Sequence, residues 1–208
     1  MDTYRFNDTS ILEKRCLNIL QNLGFCALKN NDKNKTAIDY KIIVDGQTRY
    51  VDFQFSNNFM KWGEIRVDYI SAFYPKARGT KSAVYSDYEM NHCKELYELD
   101  LLFMKYAEIR KLGKMYDENL SSIIYFIFDR EVSNVETEIP DRIFIAKIDS
   151  LNDYIKTNAQ KLIASKKLMI NNKAYDAHGS AFFCLPFDAI KDLEGCFILD
   201  LKRLKNAI

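Results

Sequence analysis

An Asp45-Gly46 dipeptide between two β-rich runs is the feature that most restricts this chain. Glycine accepts the positive φ that a two-residue hairpin turn demands, so Asp-Gly flanked by strand formers is a strong local hairpin signal. Ala37 to Val44 reads as the outgoing strand and Gln47 to Phe55 as the return. With that turn, Val44 faces Gln47, Lys41 faces Tyr50, Asp39 faces Asp52 and Ala37 faces Gln54. Counting outward from the hydrogen-bonded pair at the turn, Asp39 and Asp52 fall in a non-hydrogen-bonded pair, where side chains approach most closely. Their Cβ atoms are expected about 4.5–5.5 Å apart on one face. Two carboxylates so placed repel, and a divalent cation between them turns that repulsion into coordination. Gln54, two residues beyond Asp52, points to the same face. The plainer alternative is a pair of solvated strand acids.

The remaining elements follow from periodicity. Asp8 or Ser10 can cap a first helix, with Glu13 three residues after Ser10 as in a capping box. Leu12, Cys16, Ile19, Leu20 and Leu23 form its apolar face, and Gly24 is a stop signal. A polar loop follows over residues 30–35. Glu64 to Ile70 reads as a third strand, with Ile65, Val67 and Tyr69 on one face and Glu64, Arg66 and Asp68 on the other. Asp87 to about Lys114 carries helical spacing, from Met90 and Cys93 through Phe103, Tyr106 and Ile109, with Gly113 beyond. Ser121 to Phe128 and Arg142 to Ile148 are strands, and Ser150 to Ala164 an amphipathic helix. Ser180 to Leu185 is a last buried strand, followed by a short helix from Phe187 to Leu193. This order implies an α/β or α+β fold around one mixed sheet. One domain over residues 1–208 is expected, with a core at about 8–148 and C-terminal elements 149–208 packed on it.

Composition removes several function classes. Lys plus Arg is 30 and Asp plus Glu 29, a net charge of +1, so any phosphate binding must use a local patch and not a basic coat. The cysteines Cys16, Cys26, Cys93, Cys184 and Cys196 are scattered without a CxxC, and His92 and His178 are far apart, which disfavours a zinc site. Reduced thiols fit a cytoplasmic protein. The N-terminal residues carry no signal-peptide pattern. The longest apolar run, Ile123 to Phe128, suits a buried strand and not a membrane span. GxGxxG, P-loop, GxSxG and HExxH motifs are absent.

Asp39 in AIDYKI, followed by Asp52-Phe53-Gln54 in YVDFQF, resembles the motif of the PD-(D/E)XK nuclease superfamily. That family's core is a helix, a three-stranded antiparallel meander, a helix and a further strand. The resemblance covers about the first 130 residues and implies a restriction-endonuclease-like mixed central sheet flanked by helices. It implies that Asp39 and Asp52 hold Mg²⁺, with Mn²⁺ as a substitute, and that the Phe53 carbonyl is a further ligand. Glu13 from the first helix is the candidate for a second ion; as a helix-capping glutamate it has an equal claim. Gln54 stands where the family usually has Lys, so it can orient water but brings no positive charge. Lys41, on the face of Asp39, is the candidate displaced cation, with Lys61 behind it; a solvated strand lysine is the alternative for Lys41.

A second feature runs from Lys61 to Lys81, with five basic and two acidic residues. Lys61, Trp62, Arg66, Lys76, Arg78 and Lys81 suit phosphate contacts and base stacking; an ordinary solvated loop is the alternative. Glu64 and Asp68 either extend the metal site or pair with Arg66 and Lys61. His178 can touch a phosphate, though a loop histidine is more often a locally bonded surface residue. The reading is a Mg²⁺-dependent endonuclease acting on double-stranded DNA, with a homodimer left open. A catalytically inactive nuclease-derived module that binds nucleic acid or protein is the alternative, as is a structural domain with an incidental acidic hairpin.

Overall fold

The structure is a computed structural model that describes residues 9–31, 40–44, 46–56, 59–76, 87–132, 138–171 and 179–202. The chain divides into two compact units, each assembled from separated segments. Residues 1–63, 119–148 and 191–208 form the first, and 64–118 and 149–190 the second.

The first unit holds a six-stranded sheet in the order β1-β2-β3-β6-β7-β10. Its strands are β1 (Cys26–Lys29), β2 (Tyr40–Val44), β3 (Gln47–Ser56), β6 (Ser122–Ile127), β7 (Arg142–Lys147) and β10 (Cys196–Asp200). All neighbours are antiparallel except β3 and β6, which run parallel. Helix α1 (Thr9–Asn22) covers one face, packing Cys16 and Leu20 against Tyr40, Ile42, Val51, Phe53, Ile124 and Phe126. The Phe53 ring stacks on Tyr40 at 4.0 Å between centroids and meets Phe126 edge-on at 5.5 Å. β6 is buried along its whole length, as its uninterrupted apolar run requires of a central strand. A single turn of helix, α2 (Phe59–Trp62), follows β3, and Gly63 ends it at φ +60°, where a glycine avoids the Cβ penalty.

The second unit is built on a four-stranded antiparallel sheet in the order β5-β4-β9-β8. These strands are β4 (Glu64–Pro75), β5 (Ala107–Leu112), β8 (Leu168–Asn171) and β9 (Gly179–Pro186). Its helices are α3 (Asp87–His92), α4 (Leu96–Tyr106), α5 (Ile148–Ala164), whose first residue belongs to the first unit, and α6 (Phe187–Ile190). Ile65, Val67 and Tyr69 are fully buried, as the period-2 pattern predicts. Tyr69 meets Phe103 and Phe183 edge-on at 5.3 and 5.5 Å.

The hairpin register is the predicted one: Val44 pairs with Gln47, Lys41 with Tyr50 and Tyr40 with Val51. Four expectations need correction. The fold is mixed α/β, but with two sheets and not one. The strand beginning at Glu64 does not continue the hairpin; β4 pairs with β5 and β9, while β3 pairs with β6. The antiparallel meander is instead β1-β2-β3, one strand earlier, because β6 is apolar on both faces and can take a position between two neighbours. The helix expected over 87–114 breaks between α3 and α4 and ends at Tyr106. Residues 107–112 then pair with β4, so sheet hydrogen bonding overrides the helical spacing of Ile109. Finally, α1 begins at Thr9, so of the two cap candidates Ser10 lies inside the helix, while Asp8 lies outside the described residues. The C-terminal segment contributes β8 and β9 to one sheet and β10 to the other.

Candidate functional site

Asp52 lies in the middle of β3, paired with Ile123 of β6, which in turn faces Ala146 of β7. Val51 and Phe53 point into the core under α1, so alternation turns Asp52 to the opposite face. There it is only 2% exposed. A buried carboxylate is costly unless it is hydrogen-bonded or paired. Gln54, on the same face, donates from Nε2 to Asp52 Oδ2 at 2.5 Å. Beside Gln54 stand Tyr125 and, across the next strand, Phe144, whose rings stack at 6.1 Å between centroids. Asp52 and Gln54 are thus a polar couple set into an apolar stretch of sheet.

Lys41 is half-buried, opposite Tyr50 on β3 and Leu28 on β1. That pairing puts it on the Asp52 face, diagonal to the carboxylate at about 7–8 Å between backbones. Phe53 has its side chain in the core, leaving only its backbone for a site. Glu13 is on the α1 side of the sheet, where its Oε2 accepts the Tyr40 hydroxyl at 2.9 Å. It shares the inward stripe of Cys16 and Leu20, three and seven residues on, and the structure does not bring it to Asp52. Asp39, Arg78, Lys81 and His178 lie outside the described residues.

The basic and aromatic candidates fall into both units. Lys61 and Trp62 belong to the first, both exposed, with Lys61 Nζ 4.9 Å from the indole centroid. Arg66 and Lys76 belong to the second. The Arg66 guanidinium lies over the Phe182 ring at 4.8 Å, and Lys76 Nζ donates to the Met104 carbonyl at 2.6 Å. Glu64 pairs with Lys167, a partner more than a hundred residues away in the chain.

Two features escaped the sequence. Arg142, at the start of β7, clasps Asp129 through Nε and Nη2 at 2.7 and 2.5 Å and lies over the Phe59 ring at 5.1 Å. This contact, which bridges segments far apart in the chain, seats α2. In the second unit Asp100 Oδ1 accepts the hydroxyls of Tyr69 at 2.5 Å and Tyr116 at 2.7 Å. Burial, reinforced by that carboxylate, holds both phenols far above their ordinary value. Burial also raises the thiols: Cys16 far up, Cys184 to about 11, and Cys93 and Cys196 in the same direction. These four have none of the thiolate character of a nucleophilic cysteine.

A resident Mg²⁺ asks for hard oxygen ligands. The Asp52 carboxylate, the Gln54 side-chain carbonyl and the backbone of Phe53 are donors of that type. Among the described residues no group of three or more His, Cys, Asp or Glu gathers in one place. No helix among them is long and apolar enough to cross a membrane. Compared with protein families, with curated proteins and with solved structures, the chain matches none.

Proposed function

We propose that this chain is a divalent-metal-dependent nuclease that hydrolyses phosphodiester bonds in DNA, on a core like that of the PD-(D/E)XK superfamily. The observation that carries this reading is the neighbourhood of Asp52. A first helix, an antiparallel β1-β2-β3 meander and β6 running parallel beside β3 place Asp52-Phe53-Gln54 on an inner strand. That is the setting in which the family's second acidic motif works. Asp52, with Asp39 thirteen residues before it, would hold the ion and Phe53 would offer its carbonyl. A bound Mg²⁺ polarises the scissile phosphate and lowers the pKa of an attacking water. Gln54 orients that water through its amide, and Lys41, diagonal to Asp52, supplies the positive charge that Gln54 lacks. Glu13 is not needed, since its carboxylate supports Tyr40.

A second reading, a binding module without cleavage, is favoured by the Gln54 contact. The amide engages the same carboxylate that must hold the metal, and it brings no charge to the developing transition state.

Supercoiled, linear and single-stranded DNA incubated with Mg²⁺ or Mn²⁺ separates the two. Under the nuclease reading the chain cuts, Asp52→Asn abolishes cutting, and Lys41→Ala slows it by roughly 10²–10³, the scale for one preorganised stabilising group. Binding that persists with no cleavage under either metal transfers the assignment to the binding module.

A further inference from the structure

Helix α2 follows β3 and carries side chains of opposite fate. Phe59 is buried beneath the Arg142 guanidinium, itself held by Asp129, so the turn is anchored from below. Met60 and Trp62 are 63% and 58% exposed, and Lys61 between them is exposed too. An indole that a chain holds out on an anchored turn, next to a cation, gains nothing for the core; leaving large apolar area in water forfeits about 25 cal/mol per Å².

We propose that Trp62 is a stacking platform for an unpaired base, with Lys61 taking the adjoining phosphate, so that the nucleic acid engaged by this chain carries a single-stranded segment. The proposal rests on the nucleic-acid reading above and adds the strand state to it. An intact duplex keeps its base faces stacked on one another and offers an indole only edges and backbone. A single strand offers every base face, and aromatic stacking of this kind tolerates any sequence. Arg142 acts at one remove, as the positioning residue that keeps the platform in place. A lipid surface is the competing use of an exposed Trp-Lys-Met cluster.

Trp62 is the sole tryptophan, so intrinsic fluorescence reports on it alone. The full chain is titrated in EDTA, which removes cleavage, with oligothymidylate, oligouridylate, a DNA duplex of equal length and phosphatidylserine vesicles. Expected are quenching by one or both single strands, little response to the duplex, and none to vesicles. In parallel, anisotropy of labelled single strands should show Trp62→Ala weakening binding by roughly 5- to 150-fold, with Trp62→Phe recovering part. Arg142→Lys should reduce the quenching amplitude by loosening α2. Single-strand binding with unchanged fluorescence and an unaffected Trp62→Ala overturns the platform while leaving the nucleic-acid reading standing. Equal quenching by the duplex overturns the strand preference. Binding to none of the nucleic acids at low salt overturns both, and a blue shift with vesicles alone assigns the cluster to a lipid surface.

Discussion

Asp52 is where the residue scale is most informative. Carboxylates are almost never fully buried unless paired, yet this one is 2% exposed and bonded to Gln54 two positions away. Period-2 alternation makes that couple legible in the string DFQ, since i and i+2 share a face. The burial is not legible, because it depends on β6 lying alongside β3. The buried thiols and phenols make a prediction at the same scale. Cys16, Cys184, Tyr69 and Tyr116 all have folded pKa values raised above their unfolded ones. Above the ordinary thiol value of about 9 the unfolded chain loses protons that the folded chain keeps, so rising pH favours unfolding. The urea midpoint should hold below pH 8 and fall between about pH 9 and pH 11, where Cys184 titrates. A midpoint that stays level to pH 11 would contradict the buried, protonated state of these groups.

Among the elements, Gly113 shows how a residue can be assigned the right conformational break for the wrong reason. From spacing it reads as the stop of a helix that runs to Lys114. In the structure it follows β5, its amide donates to the Tyr69 carbonyl at 3.0 Å, and a Cβ there would lie 2.1 Å from the Asp68 carbonyl oxygen. Its φ is ordinary at −79°, so the need for glycine comes from space and not from backbone strain. Gly113→Ala must therefore push two strands apart, and a loss of about 1–3 kcal/mol is expected in denaturant unfolding, the usual cost of overpacking. An unchanged midpoint would show that β4 yields without cost. Gly24, a turn glycine at φ +87° with nothing within 4 Å of its Cβ position, belongs to the other kind, where the dihedral alone demands glycine.

On the scale of the whole chain, neither unit is a continuous stretch of sequence. The second sheet has β4 paired to β9 along most of its length, though more than a hundred residues separate their starts. A chain truncated after Ile148 loses β8, β9 and β10, and with β9 an inner strand of the four-stranded sheet. Such a fragment leaves an edge of β4 and its apolar residues uncovered. It should be unfolded or aggregated by circular dichroism and rapidly digested in limited proteolysis. A fragment of residues 1–148 that resists protease and melts cooperatively would show that the C-terminal elements are accessories to a complete core.

Short-range chemistry could be read from the string of residues, and for a physical reason. The Asp-Gly turn dictates the register of β2 against β3; alternation assigns Asp52, Gln54 and Lys41 to one face and Phe53 to the other. The apolar run of β6 and the stripe of α1 mark a central strand and its cover. The strand order was decided only by tertiary structure. Which of two edges β3 would give to β4 or to β6, and whether residues 107–112 would continue a helix or complete a sheet, turn on partners far along the chain. So do the Glu64–Lys167 pair and the Arg142–Phe59 contact. Local preferences of a few tenths of a kcal/mol per residue yield to such contacts, because burying a strand on both sides is worth several times more.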